Sequence, residues 1–223
     1  MPELDTLRGL AILMVLFYHG FYFAHARDTL SGVARIAHWV TRPGWLGVNL
    51  FFVLSGFLIT GILFSSKAKP CYYKNFYIRR ALRILPAFYL MLLILGLARQ
   101  SSWSFLMVSF FYLANLSSLF GVSLYYPVLW SLAVEEHFYL IWPAVVRKLS
   151  VGSVGLCALA IVLMTPVLRG LSFYFGHSTY FYTWFVGDGL ACGALLATLV
   201  RAPRIDRNNS SAARWLCFVY RPV

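Results

Sequence analysis

Acidic side chains are the scarcest feature of this sequence: 223 residues hold seven Asp and Glu against nineteen Lys and Arg. Charge of either sign is rare at 12%, while 61% of the chain is hydrophobic. A soluble domain with that much apolar surface would fill its core and have to expose the rest. A mean hydropathy of +0.74 agrees. The chain therefore reads as a polytopic membrane protein. Its formal charge of +12 would suggest nucleic acid in a soluble protein. Here it lies between apolar runs, so it reads first as a topology signal and second as a source of sites for anionic ligands. No nucleic-acid partner is expected. Cysteine is sparse too: Cys71, Cys157, Cys192 and Cys217 show no CxxC spacing. Neither a disulfide framework nor a metal site is expected. Glu3 and Asp5 stand where a cleavable signal would carry lysines, so the first apolar run is expected to remain in the mature protein. No internal repeat or low-complexity tract stands out.

What is present is a series of apolar runs, at 7–23, 45–64, 84–97, 103–120, 130–146, 151–168 and 181–200. A polar segment, 24–43, separates the first two. The most basic loop is expected at 65–83, with Lys67, Lys69, Lys74, Arg79, Arg80 and Arg83, and Pro86 is expected in the first turn of the helix that follows. The run 103–120 is interrupted by Ser104, Ser109, Asn115, Ser117 and Ser118. If the 67–83 loop lies inside and 103–120 crosses the membrane, eleven cations fall outside against eight inside. If that segment returns on its own side, fourteen lie inside and five outside. The positive-inside rule favours the second arrangement, and serines suit a re-entrant segment buried against protein. The expected fold is an all-α, polytopic transmembrane helical bundle of about six spans plus one re-entrant segment. Residues 1–200 form its single membrane domain, and 201–223 a basic cytoplasmic tail.

Four polar groupings stand out against this background. In residues 4–20, LDTLRGLAILMVLFYHG, Arg8 and His19 are eleven positions apart. That spacing is almost three helical turns, so both share one face about 16 Å apart along the axis. They mark the two ends of an internal path, or else Arg8 is a snorkelling anchor and His19 an interfacial residue. Arg79, Arg80 and Arg83 form the second grouping, at the expected cytoplasmic mouth of the third helix. Two of them on one face can grip an anion bidentately, or all three can anchor lipid headgroups. The third is WSLAVEEHFYLIWP, 130–143, where Glu135, Tyr139 and Trp142 share one face and Glu136, Leu140 and Pro143 the next. One glutamate is expected to pair with an arginine or histidine and the other to reach the interface. The fourth is Asp188 in VGDGLACGALLA, whose Gly189-xxx-Gly193 spacing is a helix-packing motif.

Taken together, LDTLRGLAILMVLFYHG, GVNLFFVLSGFLIT, FYIRRALRILPAFYL and LWSLAVEEHFYLIWP resemble the integral-membrane acyltransferase family 3. Its members are O-acyltransferases that decorate cell-surface polysaccharides, lipopolysaccharide and related glycans. The resemblance covers residues 3 to 200. It implies a cytoplasmic acyl-CoA donor, usually acetyl-CoA, with no permanently bound cofactor, and a carbohydrate or lipid-linked glycan acceptor. A multi-pass protein among the lipids of the bacterial inner membrane is expected, and the fourteen-to-five distribution of cations puts its N-terminus in the cytoplasm. His19 matches the family's catalytic histidine and Arg8 its partner arginine. Arg80 and Arg83 match the basic motif before the third helix, and Glu135 the first glutamate of the EE motif. Two departures are visible. Val186 stands where the family's late block carries an arginine two residues before the aspartate. Family members also have about ten spans, so a C-terminal truncation is expected.

Bottom-up chemistry leads to the same residues. Acyl transfer from a thioester to an alcohol needs a base, and neutral His19 is the suitable group. The oxyanion needs donors, for which Asn49, Ser55 or an arginine are open alternatives. Donor phosphates need cations, which Arg79, Arg80 and Arg83 offer. The rival readings are a proton-coupled transporter or flippase using Arg8, His19 and Glu135 as a relay, and an inactive membrane fragment.

Overall fold

A computed structural model describes residues 2–22, 32–126, 128–176 and 181–205, and all regular structure among them is helical. The elements are α1 (Pro2–Phe17), α2 (Gly32–Thr41), α3 (Leu46–Ser66), α4 (Tyr72–Leu97), α5 (Trp103–Phe110), α6 (Val128–Lys148), α7 (Val151–Tyr174), the short α8 (Thr183–Val186) and α9 (Asp188–Ile205). A π-turn, Tyr18–Tyr22, extends α1, and 3-10 turns occupy Arg42–Trp45 and Ala114–Phe120. Serine caps set two of the starts: Ser102 Oγ accepts from Phe105 N at 3.2 Å and Ser150 Oγ from Ser153 N at 3.1 Å, satisfying helix-end N–H groups that lack an intrahelical partner. Residues 206–223, most of the expected tail, lie outside the described residues, and α9 itself runs to Ile205.

Six long helices alternate in direction. Gly47 lies against Ala11 and Met14 while Arg8 reaches Ser55, so α1 and α3 are antiparallel. Tyr77 Oη donates to Leu140 O at 2.8 Å and Tyr72 Oη to Pro143 O at 3.1 Å, which makes α4 and α6 antiparallel. Trp130 on Phe52 and Trp142 on Thr60 run α6 parallel to α3. Gly155 against Thr198 and Arg169 against Asp188 set α7 antiparallel to α9. One end of the bundle therefore gathers Pro2, Ser66, Tyr72, Lys148 and Val151. We call it the near end, and the opposite one the far end. Among the described residues, four helical stretches are long and apolar enough to cross a membrane: 3–22, 32–66, 72–97 and 151–174. Leu10, Leu13 and Leu16 on α1, Leu90 and Leu93 on α4, and Leu163 and Val167 on α7 stand exposed, as side chains do that face lipid.

The segment between α4 and α6 leaves and returns at the far end, because Leu97 and Val128 both lie there. Within it α5 descends eight residues, the chain reverses at Tyr112, which adopts a left-handed φ of 58°, and the 3-10 turn climbs back. Ser109, Asn115 and Ser117 are buried against protein, the setting in which irregular backbone survives at membrane depth. The expected re-entrant segment is thus present.

One expectation fails. The basic stretch 65–83 is not a loop: α4 begins at Tyr72 and carries Arg79, Arg80 and Arg83 within its first half, so Pro86 falls in mid-helix. Hydropathy reads charge as surface, whereas here a carboxylate on α6 receives Arg80 inside the bundle. Pro86 costs one backbone hydrogen bond, a loss that membrane helices tolerate.

Packing is closest between α3 and α9. A Cβ at Gly193 would strike the backbone of Val53 and Phe57, and one at Gly56 the carbonyl of Leu190. The small-residue spacing read from the sequence is therefore the contact itself.

Candidate functional site

α1 presents one face to α3 and α6, and two adjoining cavities line it. The first, about 490 Å³, is enclosed by Asp5, Arg8, Gly9 and Ile12 of α1, Phe51 of α3, Arg80, Arg83 and Ile84 of α4, and Leu132, Glu135 and Tyr139 of α6. The second, about 310 Å³, is bounded by Ala11, Ile12, Val15, Leu16, His19, Val48, Phe51, Val128 and Ser131. Ile12 and Phe51 belong to both.

In the first cavity Arg8 lies inside the bundle. Its Nη2 donates to Ser55 Oγ at 3.3 Å and its guanidinium stands 5.6 Å from the Phe51 ring centre. Its Nε is buried with no hydrogen-bond partner among the described residues. The anchor reading of Arg8, in which the side chain leaves the helix bundle for the interface, is not what the geometry shows. Glu135 is buried at 5% exposure and receives Tyr139 Oη at 3.3 Å. Glu136 takes Arg80: Nη2 meets Oε1 at 2.7 Å and Nε meets the same oxygen at 3.2 Å. The Arg80 guanidinium also lies 3.3 Å from the Tyr139 ring centre. One glutamate does pair with an arginine, as expected. The other is buried instead of reaching the interface, since α6 turns Glu135 into the centre of the bundle.

Of the three arginines on α4, Arg80 and Arg83 line this cavity and Arg79 is exposed and does not. Arg80 is held by Glu136, so Arg83 and Arg8 are the guanidiniums with donor capacity left for an anion. Arg83 makes no ion pair with another described residue. Asp5 was not singled out in the sequence, although its i, i+3 spacing to Arg8 places both on one face.

His19 belongs to the second cavity, so the structure does not bring it against Arg8 or Glu135. It is the second residue of the π-turn, a wide turn frequently found at functional sites. The ring Nδ1 lies 2.9 Å from Val15 O. A carbonyl only accepts, so Nδ1 carries the hydrogen and the lone pair of the neutral ring resides on Nε2. Tyr18 stacks on Tyr22 at 5.1 Å and Tyr22 on His38 at 4.5 Å, which fixes the turn against α2. Neither Asn49 nor Ser55 lines this pocket. Ser131 does, and nothing in its sequence context had marked it.

Further polar contacts brace the arrangement. Asn115 Nδ2 donates to Thr183 Oγ1 at 2.9 Å, and His137 Nδ1 meets the same oxygen at 2.7 Å, tying the re-entrant segment to α6 and α8. Asp188 pairs with Arg169 of α7, so the aspartate behind Val186 obtains its arginine from a neighbouring helix.

The fold and this pair of cavities are those of a helical membrane protein with an interior polar site. More particularly, the chain belongs to the integral-membrane acyltransferase family 3: the family model, described as an acyltransferase domain, matches residues 1–220. It is 31% identical to the peptidoglycan O-acetyltransferase OatA of Listeria monocytogenes, over 98% of this chain and 38% of that protein. The putative peptidoglycan O-acetyltransferase YrhL of Bacillus subtilis is 35% identical over 64% of this chain and 23% of its own length. A putative O-acetyltransferase of Staphylococcus aureus is 29% identical over 86% and 34%. The aligned part of the chain thus spans 23% to 38% of the length of these relatives. No solved structure matches it.

Proposed function

We propose that this chain supplies the membrane part of an O-acyltransferase that moves an acetyl group from acetyl-CoA to a hydroxyl of a cell-surface glycan, peptidoglycan being the acceptor named for two relatives. The observation that carries the proposal is the pair of adjoining cavities, one lined by three arginines and the other by His19. Arg8 and Arg83 bind the phosphates of the donor, while Arg80 is set in place by Glu136 and Tyr139. His19 Nε2 takes the acceptor's hydroxyl proton as its oxygen attacks the thioester carbonyl. A C–O bond forms, the C–S bond breaks, and the departing thiolate recovers the proton from the imidazolium. Glu135, buried between Arg8 and Arg80, balances the charge of the donor cavity.

The near end faces the cytoplasm in this reading, because the fourteen-to-five distribution of cations follows it. Cysteine labelling at position 147 is expected from the cytoplasmic side only, and labelling from outside would reverse the assignment.

Radiolabelled acetyl-CoA supplied to membranes of matched protein level tests the chemistry. His19→Ala is expected to lower acetyl transfer to peptidoglycan by about 10²–10⁴-fold, the usual worth of a general base, with donor affinity retained. Near-parental transfer would rule out His19 as the base and return the transporter reading.

A further inference from the structure

In the proposed function the polar cavity takes the donor's phosphates and His19 meets the reacting hydroxyl and thioester, which leaves the apolar remainder of the pocket beside His19 without an occupant. Apart from His19 and Ser131 its walls are Ala11, Ile12, Val15, Leu16, Val48, Phe51 and Val128, and the Ser131 hydroxyl already donates to Val128 O at 3.0 Å. A sugar ring placed there would lose water from several hydroxyls and find few partners, each unmade hydrogen bond weakening binding by about tenfold or more. An aliphatic chain meets no such penalty. The pocket shares Ile12 and Phe51 with the arginine-lined cavity, so a molecule whose phosphates lie at Arg8 and Arg83 has its acyl end beside the pocket, with those two side chains between.

We propose that the pocket beside His19 receives the acyl chain of the donor and accommodates chains longer than acetyl, with Ile12 and Phe51 on the side of the arginine-lined cavity and Val48 and Ser131 among its walls. This rests on the acyl-CoA reading above and adds to it the substrate range. Acceptance of longer acyl groups follows from shape and polarity: an open apolar pocket has no feature that rejects an additional methylene. Each methylene that enters should tighten binding by about fourfold, equivalent to about 0.8 kcal/mol per buried CH₂.

The test is competition of CoA and its acetyl, propionyl, butyryl and hexanoyl thioesters against radiolabelled acetyl-CoA, on the intact protein in lipid nanodiscs. Affinity is expected to rise by up to about fourfold per methylene from acetyl to butyryl. Ser131→Leu and Val48→Phe, each filling the pocket with apolar volume, are expected to flatten that series, read as the butyryl-to-acetyl ratio within each variant. A flat or falling series in the parent protein, with CoA still bound, overturns this inference alone. An equal rise in parent and both variants signals partition into lipid and also overturns it. Failure to bind CoA or any thioester overturns the acyl-CoA reading as well.

Discussion

Arg80 grips Glu136 through two nitrogens between α4 and α6, whereas Arg169 reaches Asp188 through one between α7 and α9. The first pair is 17% and 21% exposed and rests on the Tyr139 ring, while the second is 42% and 32% exposed. The residue types are the same in kind, yet the surroundings give them different energetic weight. Removing one partner of a desolvated pair strands a charge in a medium that solvates it poorly. The same removal where water or headgroups reach both ions loses little. Arg83 completes the comparison: it lines the same cavity as Arg80 but has no carboxylate of a described residue paired with it, which leaves its charge for a ligand.

The largest effect should come from breaking the inner pair. Glu136→Gln is expected to cost about 3–5 kcal/mol of stability, seen as a lower thermal midpoint of the purified protein in detergent. Arg80→Met with Glu136→Leu should recover most of that loss, since apolar side chains of similar volume can replace a buried pair. A double variant as unstable as the single one would mean that the charges themselves hold α4 to α6. Next comes Arg83→Ala. Its midpoint should match the parent's while acetyl-CoA affinity falls roughly ten- to hundredfold, the worth of one charge-assisted contact. A drop in midpoint with unchanged affinity would make Arg83 structural like its neighbour. Smallest is Asp188→Asn, expected to cost about 0–1 kcal/mol and less as salt is raised. A cost as large as that of Glu136→Gln would erase the distinction between the two pairs.

The same contrast explains what the sequence could show. Apolar runs marked the long helices, four of which are long and apolar enough to span, and the distribution of cations agreed with a segment 103–120 that returns to the end of the bundle it leaves. Arg8 and His19 were placed on one helix face because period 3.6 requires it. The extent of α4 was not legible. Arg80 looks like a loop residue until Glu136, fifty-six positions later, is folded against it. That Arg8 and His19 would line different cavities was equally hidden, because the side chains common to both, Ile12 and Phe51, are ordinary apolar residues in apolar runs. Asn49 is a similar case: its polarity suggested a catalytic donor, but it lines neither cavity.

The crossing of α3 and α9 has a consequence for inheritance. At Gly56 and Gly193 the atoms in the way are main chain, with no side-chain tip able to swing aside. Phe51 and Ser55, which touch the arginine-lined cavity and Arg8, ride on the same rigid rod as Gly56. A single methyl at this crossing would therefore displace a helix, and both compartments along α1 would change shape together. Variation at these two positions is a change of frame for the whole interior, while variation at Val48 or Ser131 alters one wall at a time.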